Sequence, residues 1–202
     1  GFPVPISVDT SKAEVARAAV AAGAALVNDV RGLSDPEMAR AVAEAGVPVV
    51  LMHMRGTPAD MGSRARYADV VGEVRAELAA ALAGAAAAGV PAERAILDPG
   101  IGFAKDAGHS LRVLSRLGEL AELGRPLLIG PSRKSFIGHV TGAPVGERLP
   151  GTLAAVAAST RRLRVCPRPS RCPTRTPACC CRRRRCGRAS RRARRGTTTS
   201  SC

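Results

Sequence analysis

The feature that most limits how this chain can fold is a plan repeated along residues 1–159: a short apolar run, a polar or Gly-rich turn, then an Ala-rich helical stretch. The runs fall at residues 4–8, 25–27, 47–52, 95–97 and 126–129. Several are apolar at nearly every position, as parallel strands covered on both faces are. The segments between them carry helix signals. Ser11 and Glu14 have capping-box spacing, with Gly23 at the stop. Asp35 followed by Pro36 opens a second helix, and Gly46 ends it. A third helix is predicted over about 67–88, a fourth over about 110–123 before Gly124, and a fifth from Gly151. Five βα units in series predict a parallel α/β fold.

Polar residues decide between an open doubly wound sheet and a closed barrel. At or just past the end of each run stands a group capable of chemistry: Asp9, Asn28, His53, Asp98, then Ser132, Arg133 and Lys134. In a (β/α)8 TIM barrel all strand ends meet at one mouth, whereas an open sheet holds its outer strands far apart. A full barrel takes about 250 residues. Residues 1–159 are therefore expected to hold about five central units, with both ends of the barrel missing.

Each of these residues has a bland alternative. Asp9 can cap the following helix, and Asn28 and Asp29 can close a turn. Asp98 precedes a Pro-Gly turn, and Gly100-Ile101-Gly102 lacks the third glycine of a dinucleotide fingerprint. His53, His109 and His139 have no partners at metal-ligand spacing, so a structural role is their default. Together, though, two carboxylates (Asp9, Asp98), a carboxamide (Asn28) and an ammonium (Lys134) suit the edge of a flat heterocycle, with Met52 and Phe103 placed to sandwich the ring.

Composition matters chiefly at the C-terminus. Of 31 Lys plus Arg, 15 lie in residues 160–202, all of them Arg, and this stretch holds no acid and all seven Cys. The net charge of +15 therefore belongs to the tail, and residues 1–159 are formally neutral. The cysteines form no CxxC pair and the tail has no His, which argues against zinc. No apolar stretch approaches the 20 or so residues that span a bilayer. With no Trp and a single Tyr, the chain lacks the aromatic platforms that stack single-stranded nucleic acid.

The motifs resemble those of dihydropteroate synthase. They are Ser-Val-Asp-Thr-Ser-Lys (7–12), Leu-Val-Asn-Asp-Val (26–30), Leu-Met-His-Met-Arg-Gly-Thr-Pro (51–58), Leu-Asp-Pro-Gly-Ile-Gly-Phe (97–103) and Gly-Pro-Ser-Arg-Lys-Ser-Phe-Ile-Gly (130–138). The resemblance implies a cytoplasmic, homodimeric transferase of folate biosynthesis that condenses 6-hydroxymethyl-7,8-dihydropterin pyrophosphate with p-aminobenzoate. It implies that Asp9, Asn28, Met52, Asp98, Phe103, Gly130 and Lys134 hold the pterin. Asp9, Asp98 and Lys134 would be catalytic, and Ser132 and Arg133 would neighbour the p-aminobenzoate. It also implies Mg2+, with the family's ligand expected before Gly1 and no metal ligand within this chain. The family's first strand, its Ser-Thr-Arg-Pro-Gly loop and its last Arg-x-His-Asp-Val strand are absent, so little or no turnover is expected from these residues alone.

Two other functions compete. One is a pterin-binding domain of a folate-dependent methyltransferase, against which Ser-Arg-Lys-Ser favours the synthase. The other is nucleic-acid binding through the tail, since runs such as Arg182 to Arg185 attract phosphate without sequence preference. The tail's Arg, Cys, Pro, Ser and Thr are also what a GC-rich coding sequence yields when read out of frame. Lacking periodic apolar residues, it is expected to be disordered.

Overall fold

The computed structural model describes residues 4–163, and the expectations for the tail lie outside them. Four parallel strands, β1 (Ser7–Asp9), β2 (Leu26–Asp29), β3 (Val49–Met52) and β4 (Ala95–Asp98), pair in chain order. The order never reverses, as it does at the switch point of a doubly wound sheet. Each strand lies beside its predecessor, the arrangement of consecutive βα units in a barrel wall. The fifth run joins by a single parallel bridge, Leu97 to Leu127. There Leu97 N–H donates to the Pro126 carbonyl and Leu128 N–H to the Leu97 carbonyl, both at 2.9 Å. The described residues thus form an arc of the expected barrel, with the fifth strand reduced to that bridge.

Pleating separates the two faces of the sheet. Val27, Val49, Leu51, Ala95 and Leu97 alternate onto the helix side and are fully buried. Each such Leu contributes about 2 kcal/mol by leaving water. β3 is buried at all four positions, but β2 is fully buried on one face only and β1 leaves Ser7 and Asp9 exposed, so burial on both faces holds for β3 and fades toward the β1 edge.

Around the sheet stand α1 (Ala13–Ala21), α2 (Pro36–Ala45), α3 (Val70–Ala87), α4 (Ala107–Ser115), α5 (Leu117–Ala121), α6 (Ser135–Thr141) and α7 (Leu149–Leu163). α2 starts as predicted: Asp35 accepts from Glu37 N–H, Pro36 opens the first turn, and Gly46 closes it in the left-handed conformation. The capping box of α1 does not form. Its N-cap is Lys12, which has no side-chain cap, and Lys12 N–H is taken by Thr10 Oγ1 instead. α3 begins at Val70 under an Asp69 cap, and its Val70, Val74 and Leu78 recur at helical spacing as its buried stripe. The expected fourth helix is two, α4 and α5, separated at Arg116, whose φ of −118° leaves the helical region. α7 runs to Leu163, beyond the expected limit at 159. Ser159 is buried and donates to the Ala155 carbonyl at 2.8 Å, and Leu163 packs against the core. Among the described residues no helix is long and apolar enough to cross a membrane.

Candidate active site

Register puts the predicted residues on one face. Asp9 pairs with Asn28, Asn28 with Val50, and Met52, two residues beyond Val50, with Asp98. The period of two then turns Asp9, Asn28, Met52 and Asp98 to the side opposite the helix-packed core.

At the β1–β2 end the Asn28 carboxamide donates to Asp9 Oδ2 at 3.0 Å. Asp9 caps no helix, because the N-cap of α1 is Lys12. Asn28 Oδ1 is buried and has no hydrogen-bond partner, an acceptor left open in a place where such groups are nearly always paired. Its neighbour Asp29 faces the other way and does close a turn. It accepts from Arg31 N–H at 3.0 Å and Leu33 N–H at 2.9 Å, and burial pushes its carboxyl above the usual range.

At the β4 end Asp98 is buried, and its Oδ1 accepts from Gly100 N–H at 2.7 Å. Burial raises its pKa, while the Gly100 bond and the charges of Lys105 and Lys134 pull it down less strongly. Lys134 stands with Nζ 4.0 Å from the centre of the Phe103 ring, a cation–π contact. Its own pKa is lowered by burial, against the attraction of Asp98. Gly100 is required here: its φ is +65°, and a Cβ would run into the His53 carbonyl oxygen.

Gly130, Ser132 and Arg133 lie on the exposed loop before α6. A Cβ on Gly130 would meet no protein atom within 4 Å. Arg133 takes a φ of +52°. Its N–H donates to Thr152 Oγ1 at 3.0 Å and its carbonyl accepts from Arg148 Nη1 at 3.2 Å, which fastens the loop to α7 and to the residue just before it.

Sequence reasoning passed over the network behind this site, in which His53 and Lys105 are buried and Arg55, Glu73 and Glu77 partly exposed. Lys105 Nζ lies 2.8 Å from His53 Nδ1, and His53 Nε2 lies 3.0 Å from Glu77 Oε2 on α3. Arg55 pairs with both Glu77 and Glu73 and stacks 4.1 Å from the centre of the Tyr67 ring. Burial, assisted by the Lys105 charge, brings His53 down to about 4, so the ring is neutral at pH 7. Burial works against Glu77, but its bonds to Arg55 and His53 hold it below the usual carboxylate range. No spacing signals this cluster, since His53, Glu77 and Lys105 are separated by helix and loop. The hint available was a lysine embedded in the otherwise apolar and glycine-rich stretch 99–105. His109 packs edge-on against Tyr67 at 5.1 Å, a structural place, and His139 is exposed on α6.

Among the described residues no group of three or more His, Cys, Asp or Glu side chains is gathered to hold a metal ion. An apolar cavity of about 350 Å³ lies among α4, α6 and α7 and includes none of the strand-end residues.

Residues 1–162 match the family described as pterin binding enzyme. The dihydropteroate synthase of Escherichia coli K12 is 46% identical over 153 residues, 76% of this chain and 54% of that protein. The Synechocystis dihydropteroate synthase is 48% identical over 151 residues, 74% of this chain and 52% of that protein. Among solved structures, the Thermus thermophilus dihydropteroate synthase in complex with 4-aminobenzoate superposes with a TM-score of 0.76 at 46% identity, covering 79% of this chain and 62% of that one. The Xanthomonas albilineans enzyme in complex with 7,8-dihydropteroate gives 0.74 at 43% identity, covering 80% and 59%. The chain spans about half the length of these sequence relatives.

Proposed function

The chain belongs to the pterin-binding enzyme family, and on that premise we propose that its strand-end site is the pterin floor of a dihydropteroate synthase. The observation that carries this reading is the shared face of Asp9, Asn28, Met52 and Asp98, with Asn28 Oδ1 buried and unpartnered among them. The amino and ring N–H groups along a pterin edge supply the donors these acceptors lack. An ionised Asp98 takes two parallel bonds. Asn28, whose amide nitrogen is committed to Asp9, accepts one through Oδ1. Lys134 donates to the ring's acceptors, Met52 and Phe103 cover its faces, and the open space over Gly130 leaves room for it. The exposed Ser132 and Arg133 border the p-aminobenzoate side.

In the reaction the methylene C–O bond breaks and its electron pair leaves with pyrophosphate. The amine of p-aminobenzoate then forms the C–N bond and loses a proton, giving 7,8-dihydropteroate. Asp9 and Asp98 oppose the positive charge that develops on the pterin methylene, and Asp98 acts from a buried position where a fixed charge is worth most. The Mg2+ implied by the resemblance finds no ligand set among the described residues. A homodimer and a cytoplasmic location belong to the same reading and rest on the resemblance alone. Relatives named as dihydropteroate synthases at 46% and 48% identity favour the synthase over a methyltransferase domain.

Calorimetric titration of the 202-residue chain with 6-hydroxymethyl-7,8-dihydropterin pyrophosphate tests the proposal. Saturable binding that Asp98→Asn weakens supports it; absence of binding, or equal affinity in the variant, overturns it.

A further inference from the structure

Lys105 is 6% exposed, an uncommon place for a lysine. Its three N–H bonds have three acceptors: His53 Nδ1 at 2.8 Å, the Phe103 carbonyl at 3.1 Å and the Gly100 carbonyl at 3.3 Å. Gly100 therefore stands between two charges. Its N–H donates to Asp98 while its carbonyl accepts from Lys105. Ala104, next to the lysine, takes a φ of +47°, a conformation unfavourable for a residue with a Cβ and one that turns Lys105 back beneath its own loop. Tyr67 Oη fixes the same point by donating to the Ala104 carbonyl at 2.9 Å.

We propose that Lys105 is a positioning residue for Asp98: its buried ammonium fastens the loop 99–104 from below, ties it through His53 to Glu77 on α3, and serves as an internal counter-charge that keeps the Asp98 carboxylate ionised. The inference rests on the pterin reading for what Asp98 is positioned to hold. The charged and titratable groups around the pair are Lys134 before α6, His53 after β3, Arg55 on the following loop and Glu77 on α3. Burial brings Lys105 down to about 7, against the attraction of Asp98 and Glu77. It is therefore an ammonium below about pH 7. Neutral His53 must present a bare Nδ1 to Lys105 and its Nε2–H to Glu77, so the arrangement dictates one tautomer.

Carboxyl carbon NMR of the ligand-free 202-residue chain, selectively labelled at aspartate, tests the counter-charge. Replacing Lys105→Met keeps the length of the stem and removes the charge, and the Asp98 midpoint is expected to rise by about one pH unit. A merely structural lysine would leave that midpoint in place, and an unchanged midpoint in folded K105M overturns the proposal. Should K105M not fold, the unaltered chain decides. Long-range nitrogen–proton spectra showing His53 protonated at Nε2 and bare at Nδ1 support it, and the reverse tautomer overturns it. None of these measurements uses pterin. A shifted midpoint in a chain that binds no dihydropterin pyrophosphate would sink the pterin reading and leave the counter-charge standing, whereas pterin binding with an unmoved midpoint would do the opposite.

Discussion

The two carboxylates of the proposed site, Asp9 and Asp98, share a face of one sheet and differ in almost everything else. Asp9 ends the edge strand, is exposed, and has the carboxamide of Asn28 as its hydrogen-bond partner. Asp98 ends β4, is buried, and is braced by a glycine N–H with two lysine charges in range. Ionising a group like Asp98 is costly, and the surrounding structure offsets that cost with prepositioned donors and charges. Such an environment holds a ligand edge in one geometry and strengthens every polar contact made to it. Asp9, in water and on a short edge strand, gains less from its surroundings. The β4 end is thus prepared in the protein alone, while the β1–β2 end offers one hydrogen-bonded pair.

The largest effect should come from breaking the scaffold of the prepared end. Gly100→Ala forces a Cβ onto the His53 carbonyl oxygen at a φ of +65°, and a loss of about 3 kcal/mol or more in urea unfolding is expected. Gly23→Ala is the control: its φ is +104°, but no atom lies within 4 Å of a Cβ there. Only backbone strain is then added, about 1 kcal/mol. Equal losses in the two variants would show that close packing of the loop against β3 matters little.

The network beneath Asp98 also sets a pH dependence. His53 falls from its ordinary value of 6.5 to about 4 in the folded chain. Between those values the unfolded chain binds a proton that the folded chain refuses. The stability present above pH 6.5 is therefore lost as pH falls to about 4, by an amount on the order of 3 kcal/mol. Unfolding free energies measured at about pH 7, 5.5 and 4 should show this decline, and His53→Gln should flatten it. A decline of equal size in the variant would assign the effect to other groups.

Most of the wall was legible before the structure, because burial leaves a mark on sequence: the apolar runs of β3 and β4, the Asp35 and Pro36 opening of α2, and Gly46 at its end all appear where the pattern puts them. Local signals failed where tertiary contacts compete. Ser11 and Glu14 have the right spacing, yet Thr10 takes the Lys12 N–H and no box forms. Residues 110–123 read as one helix with Gly124 as its stop. The break falls at Arg116, whose guanidinium reaches Asp69 as well as Glu119. The strand-end residues were visible as a set, since the fold class implies that such ends converge. Lys105 and Glu77 were not, because a hydrogen-bonded chain running Lys105–His53–Glu77 depends on which loop passes beneath which strand, and nothing periodic in the chain encodes that.

Asp98→Asn separates binding from folding. Folded Asp98 titrates above its unfolded value, so its ionisation opposes folding near pH 7. Asparagine removes that cost and can still accept from Gly100 N–H. It also takes a counter-charge from Lys105, so the two effects offset and stability should move by no more than about 1 kcal/mol, while affinity for the dihydropterin pyrophosphate falls by about 100-fold through loss of the charge-assisted bonds. Loss of both together would mean that the carboxylate supports the loop rather than the ligand.

The smallest expected effect lies at the open end, and it measures the contrast directly. Asp9→Asn keeps the shape of the side chain and removes a charge that water already screens. Its partner Asn28 can still donate to the new amide oxygen, so unfolding should move by no more than about 0.5 kcal/mol. Affinity should fall by about tenfold, the loss of one charge-assisted bond made near water. The same titration that reports Asp98→Asn reports this variant, so the two losses are compared within one experiment. Equal losses would mean that bound ligand buries Asp9 as deeply as the protein buries Asp98, and the asymmetry between the two ends would then belong to the ligand-free protein alone.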